Sequence, residues 1–258
     1  MVLPSAPRPD PVQYMTAVGA SAKGQQIRAQ ALAELDLRPG QTVIDVGCGP
    51  GVNLPDLAAG VAASGQVLGI DHSPVMLAAA QQRIAGLARV RLLRADAHAL
   101  PLADASIDRA RCDRVLQHVL DPALAIRELW RAARPGAVVT LTEPDWSTLA
   151  IDAPDLTASA AFTNYTCTRA VRNACLGRQL ARLAGAAGFT VQSVEPVTIL
   201  FRNFPEADRV LGLTRNSVAA VNAGYLPAET ASQWLAALEQ GPFLAAGTTF
   251  IVVAAKPA

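Results

Sequence analysis

The chain has 258 residues, of which 51% are hydrophobic and 17% charged, with a formal net charge of +1; it can bury a large core and is too apolar to be disordered over most of its length. Its charges form no block of one sign, which argues against a nucleic-acid backbone or an anionic membrane as the main partner. The four cysteines, Cys48, Cys112, Cys167 and Cys175, include no CxxC pair and have no histidine at ligand spacing, so neither a metal site nor a disulfide framework is expected.

Met1 to Asp10 is proline-rich and lacks the apolar stretch of a secretion signal; through Pro11 it predicts a flexible tail. Val12 to Leu35 predicts mostly helix, with Ile27, Ala31 and Leu35 spaced by four. Arg38-Pro39-Gly40 is a turn. Short strands then alternate with helices. Strands are expected at Thr42–Val46, Val67–Ile70, Val90–Leu93, Ile107–Cys112 and Ala137–Thr142. Helices are expected at Val52–Ala63, Pro74–Ala88 and Pro122–Ala133. The fourth strand carries Arg109 and Arg111, less apolar than a buried parallel strand should be. Strict β-α alternation predicts an α/β, Rossmann-like, doubly wound sheet.

Beyond Glu143 the rhythm breaks. Asp145 to Arg178 shows no clear strand, and Arg178–Ala187 predicts a helix. Thr190–Leu200 is strand-like, Phe204–Gly241 mostly helical with breaks at Gly224 and Pro227, and Thr248–Ala254 a last strand. The expectation is one domain over 1–258, with a core at about 36–150, 180–200 and 246–258 and lid segments at about 10–35, 151–179 and 201–245. No apolar run is long enough to span a bilayer. A cytoplasmic monomer or homodimer without membrane or nucleic-acid partners is expected.

The chemistry centres on Asp45-Val46-Gly47-Cys48-Gly49-Pro50-Gly51, between a strand and a helix. Glycines there let the backbone bend sharply and a ligand approach closely. A dinucleotide fingerprint is GxGxxG; here its last position is Val52 and the third glycine comes one residue early. Asp45 would repel a pyrophosphate and suits an ammonium group, which S-adenosylmethionine carries. These features weigh against an NAD-linked oxidoreductase.

Val43-Ile44-Asp45-Val46-Gly47-Cys48-Gly49-Pro50-Gly51 resembles the first motif of class I S-adenosylmethionine-dependent methyltransferases, in the branch of the ubiquinone/menaquinone methyltransferases. The resemblance continues in order through Val67-Leu68-Gly69-Ile70-Asp71, His72 to Leu77, Arg94 to Pro101, Arg114 to His118 and Leu129 to Gly136, covering about Gln41 to Glu143. Ala137 departs from it, where the family usually has a second glycine. The resemblance implies a seven-stranded sheet with its last strand antiparallel. It implies S-adenosyl-L-methionine as cofactor and S-adenosyl-L-homocysteine as product. It places Gly47, Cys48, Gly49 and Gly51 in the cofactor loop and Asp45 at the ammonium end. Asp71 would bind the ribose hydroxyls, with His72 near it. Met76 would line the adenine, Asp96 with Ala97 would meet its amino group, and Arg114 would lie beside the methyl donor. Tyr14, in the N-terminal helix, would close over the methionine end.

His118 is the candidate catalytic base, since a neutral imidazole can take a proton from a hydroxyl or amine; the alternative is a packed histidine. Glu143 and Trp146, at the edge where open α/β sheets bind ligands, and Arg172, on the expected lid, are candidate substrate contacts. The apolar and aromatic lid favours a small, partly hydrophobic acceptor methylated on O, N or C, in natural-product or quinone-type metabolism. A non-methylating cyclisation or rearrangement that uses the same cofactor is the alternative.

Overall fold

The computed structural model describes residues 10–258. The expected tail lies outside the described residues up to residue 9. Pro11 is not part of it: it opens α1 (Pro11–Ala20), capped by Asp10, whose carboxylate accepts the Gln13 N–H at 2.8 Å. The helical stretch expected over 12–35 is divided at Ser21, which turns to an extended conformation and caps α2 (Ala22–Ala33).

Seven strands form one sheet: β1 (Thr42–Val46), β2 (Gln66–Asp71), β3 (Val90–Arg94), β4 (Ile107–Asp113), β5 (Ala133–Ile151), β6 (Thr190–Phe201) and β7 (Ala245–Ala255), in the order β3-β2-β1-β4-β5-β7-β6. β1 to β5 are parallel, and β7 lies antiparallel between β5 and β6. Helices α3 (Leu54–Val61), α4 (Pro74–Arg83) and α5 (Pro122–Ala132) form crossovers; α6 (Leu156–Tyr165) and α7 (Leu180–Ala186) follow β5. The period-two alternation of β1 assigns its faces. Val43 packs with Leu54, Leu57 and Ala80 of α3 and α4, whereas Ile44 and Val46 pack with Ile126 and Leu129 of α5 and Leu180 of α7. Helix α4 stops five residues short of the expected Ala88, and the chain turns through Gly86 at φ 88°.

The main departure is β5. No strand is expected beyond Asp145, yet β5 runs on to Ile151 and pairs there with Ala245 and Ala246 of β7. Asp145, Leu149 and Ile151 are buried, while Ser147 and Ala150 are exposed. The polar residues Ser147 and Thr148 obscure this alternation: Ser147 bonds Asp145, and the Thr148 hydroxyl donates to the Asp145 carbonyl and accepts the Thr248 N–H.

These strand extensions carry a second core. Leu149, Ile151, Phe201 and Ala245 pack against α6 and against α8 (Phe204–Leu211), α9 (Leu213–Asn222) and α10 (Ala228–Gln240). Trp234 stacks on Phe162 with centroids 5.4 Å apart and donates to Ser159 Oγ at 3.0 Å. Between α8 and α9 the chain breaks at Gly212, in the left-handed region at φ 65°, a break the sequence pattern does not reveal. α1 is tied to α8 by the Tyr14 hydroxyl, which donates to the Val210 carbonyl at 2.9 Å, and α2 packs Ile27 and Ala31 on Ile251 of β7. Among the described residues no helix is long and apolar enough to cross a membrane.

Candidate active site

The site lies at the carboxyl ends of β1, β2, β4 and β5. The loop after β1 is held by Gly47 and Cys48, whose N–H groups both donate to the Ile70 carbonyl, at 2.7 and 3.0 Å. Gly47, Gly49 and Gly51 have φ of 69°, 54° and 74°, a region that side chains disfavour. Their surroundings differ. A Cβ on Gly47 would come within 2.1 Å of Val115 and one on Gly51 within 2.9 Å of Ala80, so these two glycines serve packing. A Cβ on Gly49 would meet nothing within 4 Å among the described residues. Gly49 therefore borders open space, and its N–H is fixed by Asp71 Oδ2 at 2.9 Å. Asp71 Oδ1 accepts the Ser73 N–H at 2.8 Å. Ser73, not Asp71, caps α4, so the carboxylate is placed by the loop and each oxygen keeps acceptor capacity for a diol. An open cradle beside a diol acceptor, with a small buried thiol at Cys48, fits the adenosyl group of S-adenosylmethionine.

Asp45 is fully buried and faces Arg111, directly across the β1–β4 register, at 3.0 Å. Arg111 also binds Asp113 at 2.5 Å, and Asp113 reaches Arg114 at 3.2 Å; with the Asn53 amide oriented to satisfy its neighbours, its oxygen accepts from Arg111 at 2.7 Å. Desolvation raises the Asp45 pKa against the opposing pull of Arg111, whereas Arg114 and Arg111 overcome desolvation at Asp113 and lower it. Asp45 Oδ2 is buried without a hydrogen-bond partner among the described residues. The arginine that looked out of place in a buried strand is thus the centre of a buried ionic chain.

Residues 44–141 match the methyltransferase domain family. The chain is 49% identical over 246 residues to an uncharacterized 37.1 kDa protein in transposon TN4556 of Streptomyces fradiae, covering 95% of this chain and 71% of that protein. It is 32% identical over 124 residues to demethylmenaquinone methyltransferase of Staphylococcus aureus, covering 48% of this chain and 52% of that enzyme, so it spans about half the length of such relatives. The fold is shared with phosphoethanolamine N-methyltransferase 2 of Haemonchus contortus in complex with S-adenosyl-L-methionine, at a TM-score of 0.60 and 22% identity over 95% of this chain and 56% of that one. It is also shared with the cyclase SpnF, at 0.59 and 24% over 90% and 81%. The chain belongs to the class I S-adenosylmethionine-dependent methyltransferases. S-adenosyl-L-methionine is the cofactor that this family uses.

In this chain the remaining candidates fall into three groups. Arg114 sits directly after β4 in the left-handed region, φ 55°, with its N–H held by the Thr142 carbonyl. Tyr14 faces Arg114 and Arg215, and burial raises its pKa. His72 is exposed with its ring 3.6 Å from Asp71, and Met76 and Ala97 are half-buried. Asp96 is exposed and bonded to His98.

The second group builds the loop after β4. Glu143 Oε1 accepts the N–H groups of Val115 and Leu116 at 2.8 and 2.6 Å, while Oε2 is buried without a partner among the described residues. Desolvation and the Asp113 carboxylate push the Glu143 pKa up to about 8. Trp146 Nε1 donates to Gln117 Oε1 at 2.8 Å. Asn173 Nδ2 bridges the Leu116 and Val119 carbonyls at 2.9 and 2.8 Å. His118 lies on this loop, exposed, its pKa lowered by desolvation and its ring without a hydrogen bond among the described residues.

Arg172 forms the third. It is exposed and lines a recess of 390 Å³ with Asp121, Cys167, Asn173 and Cys175; among the described residues no hydrogen bond or ion pair joins it to the glycine loop. Its neighbour Arg178 is engaged by Asp145 and Ser147. No group of three or more potential metal ligands occurs among the described residues. Sequence reasoning missed Asn53 and Asp113 as parts of the site. The one signal available was Arg111, whose burial demanded acidic partners.

Proposed function

We propose that this protein transfers the methyl group of S-adenosyl-L-methionine to a small, partly hydrophobic molecule. The observation that carries this reading is Trp146. It is half-buried, packs against the second core, and hydrogen-bonds Gln117 of the loop that follows β4. An apolar layer is thereby joined to the loop that the family places beside its methyl donor. A neighbouring recess of 520 Å³, lined by Leu149, Ile151, Leu156 and Thr163, is of small-molecule size.

Bound cofactor supplies an electrophilic methyl on a sulfonium. The protein's part is to align, desolvate and, where the acceptor carries a proton, remove it. Gly49 and Asp71 hold the adenosyl end, and the buried Asp45–Arg111 pair braces from below the loop at the methionine end. Glu143 and Asn173 fix the loop that carries His118. His118, neutral near pH 7 because desolvation lowers its pKa, is the proton acceptor in this reading, and Trp146 is a wall of the acceptor pocket.

The test has two stages. Calorimetry with S-adenosylmethionine and S-adenosylhomocysteine should show binding; none at millimolar concentration sinks the reading. Incubation with a panel of quinols, phenols and small amines should then give products heavier by one methyl. A product of unchanged mass would replace transfer by cofactor-assisted rearrangement.

A further inference from the structure

We propose that His98 is a positioning residue for adenine selectivity: it holds one oxygen of Asp96 so that the other reads the adenine amino group. This inference rests on the reading of Asp96 as the adenine contact. Asp96 lies just past the end of β3, with its side chain largely exposed, and a free carboxylate there would rotate. It does not rotate freely here. Asp96 Oδ1 accepts the His98 backbone N–H at 2.9 Å and lies 2.6 Å from His98 Nδ1. Oδ2 has no hydrogen bond among the described residues.

The far side of the ring fixes its tautomer. His98 Nε2 accepts the Asp121 backbone N–H at 3.1 Å, so that nitrogen is unprotonated and Nδ1 carries the hydrogen donated to Asp96. Asp121 in turn caps α5 through Leu124 N–H at 2.9 Å. The carboxylate is thus braced against the start of a helix through a ring whose side chain is only 19% exposed. The two contacts from His98 also hold the Asp96 pKa below its ordinary value, which keeps it an acceptor. An ionised acceptor with one oxygen occupied and one free suits the exocyclic amine of adenine. It repels the carbonyl oxygen that hypoxanthine carries at the same position.

Ring geometry supplies the test, because the two amide side chains mimic opposite edges of imidazole. His98→Asn keeps a donor near the place of Nδ1 and loses the Asp121 contact. His98→Gln keeps an acceptor near the place of Nε2 and loses the Asp96 contact. Calorimetric Kd values for S-adenosylhomocysteine and for its deaminated analogue, S-inosylhomocysteine, give the selectivity ratio for each variant. The wild type is expected to prefer the adenosyl compound by about tenfold or more, the worth of one charge-assisted hydrogen bond. His98→Ala and His98→Gln should lower that ratio at least threefold, and His98→Asn should restore it. If Gln restores the ratio and Asn does not, His98 serves only to hold the loop before α5, and the inference falls. If Asp96→Asn changes the ratio and His98→Ala leaves it unchanged, the adenine reading stands and the positioning role falls. If Asp96→Asn leaves the ratio unchanged, the adenine reading fails and the inference with it.

Discussion

Replacing Glu143 by Gln isolates a single buried carboxyl. Burial and the nearby Asp113 carboxylate push Glu143 from an ordinary 4.5 to about 8. At neutral pH the folded chain therefore keeps a proton there that the unfolded chain has released. Between those two values the folded state binds more protons, so the free energy of unfolding falls as pH rises. Stability from this group is fully present below about 4.5, declines through the window, and falls no further above about 8. The slope is at most about 1.4 kcal/mol per pH unit, or up to about 5 kcal/mol across the window. Gln copies the protonated acid: its oxygen can still accept from Val115 and Leu116, and it cannot ionise. Urea unfolding of both proteins at intervals from about pH 5 to about pH 9, analysed at constant m, gives the difference directly. The variant is expected to gain several kcal/mol on the wild type between the ends of that range, above a constant offset for the new amide. A difference that stays flat with pH would refute the reasoning, since Glu143 would then titrate alike in both states.

Arg111→Met should cost about 3–5 kcal/mol, because it strands Asp45 and Asp113 as buried charges; a loss below about 1 kcal/mol in the same urea assay would show that the network is not stabilising. Gly49→Ala should fold with a loss of about 1–2 kcal/mol for its left-handed backbone and yet lose S-adenosylhomocysteine binding by calorimetry, since the new methyl fills the cradle. Gly47→Ala, which drives into Val115, should lose much more stability, and a Gly49 variant that binds normally would displace the cofactor from this loop. Trp234→Ala should cost about 3–5 kcal/mol while leaving cofactor affinity within twofold, measured well below its lowered melting point; a large loss of affinity would mean that the second core shapes the cofactor pocket.

The parallel half of the sheet was legible because each of its signals is local. Thr42, Val43, Ile44 and Val46 are β-branched, Gly47 follows, and β1 has the bounds expected of it. Ser73-Pro74 and Asp121-Pro122 start helices by capping and by proline's fixed φ, and α4 and α5 begin where those pairs predict. The extension of β5 was not legible. Its pairing partner lies about a hundred residues away, and the hydroxyls of Ser147 and Thr148 that tie its bulge read as loop residues. The same limit applied at the site. The glycine loop and Asp71 carry their meaning in spacing, whereas Glu143 acquires its role only because β5 brings it beneath the Val115 and Leu116 N–H groups. Arg111 shows the intermediate case: the sequence exposed it as an anomaly, and only the β1–β4 register identified Asp45 as its partner.

The same register bears on the chemistry of methyl transfer. A sulfonium loses its positive charge as its methyl leaves, so a strongly anionic pocket would hold the reactant more tightly than the transition state and slow the reaction. A site that must recognise an ammonium group nevertheless needs a carboxylate. In this chain Asp45 and Asp113 are balanced by Arg111 and Arg114, which are linked to them in one continuous set of contacts. Glu143, the next carboxyl toward β5, is held largely protonated at neutral pH by its burial. The remaining carboxylates of the cofactor site, Asp71 and Asp96, belong to the ribose and adenine readings, away from the sulfur. In the methyl-transfer reading, the carboxylates nearest the reacting end are thus compensated, and those assigned to the ribose and adenine lie away from it. On this argument Arg111 serves the methyl-transfer reading twice, by keeping Asp45 stable in the interior and by keeping the field at the reacting end close to neutral.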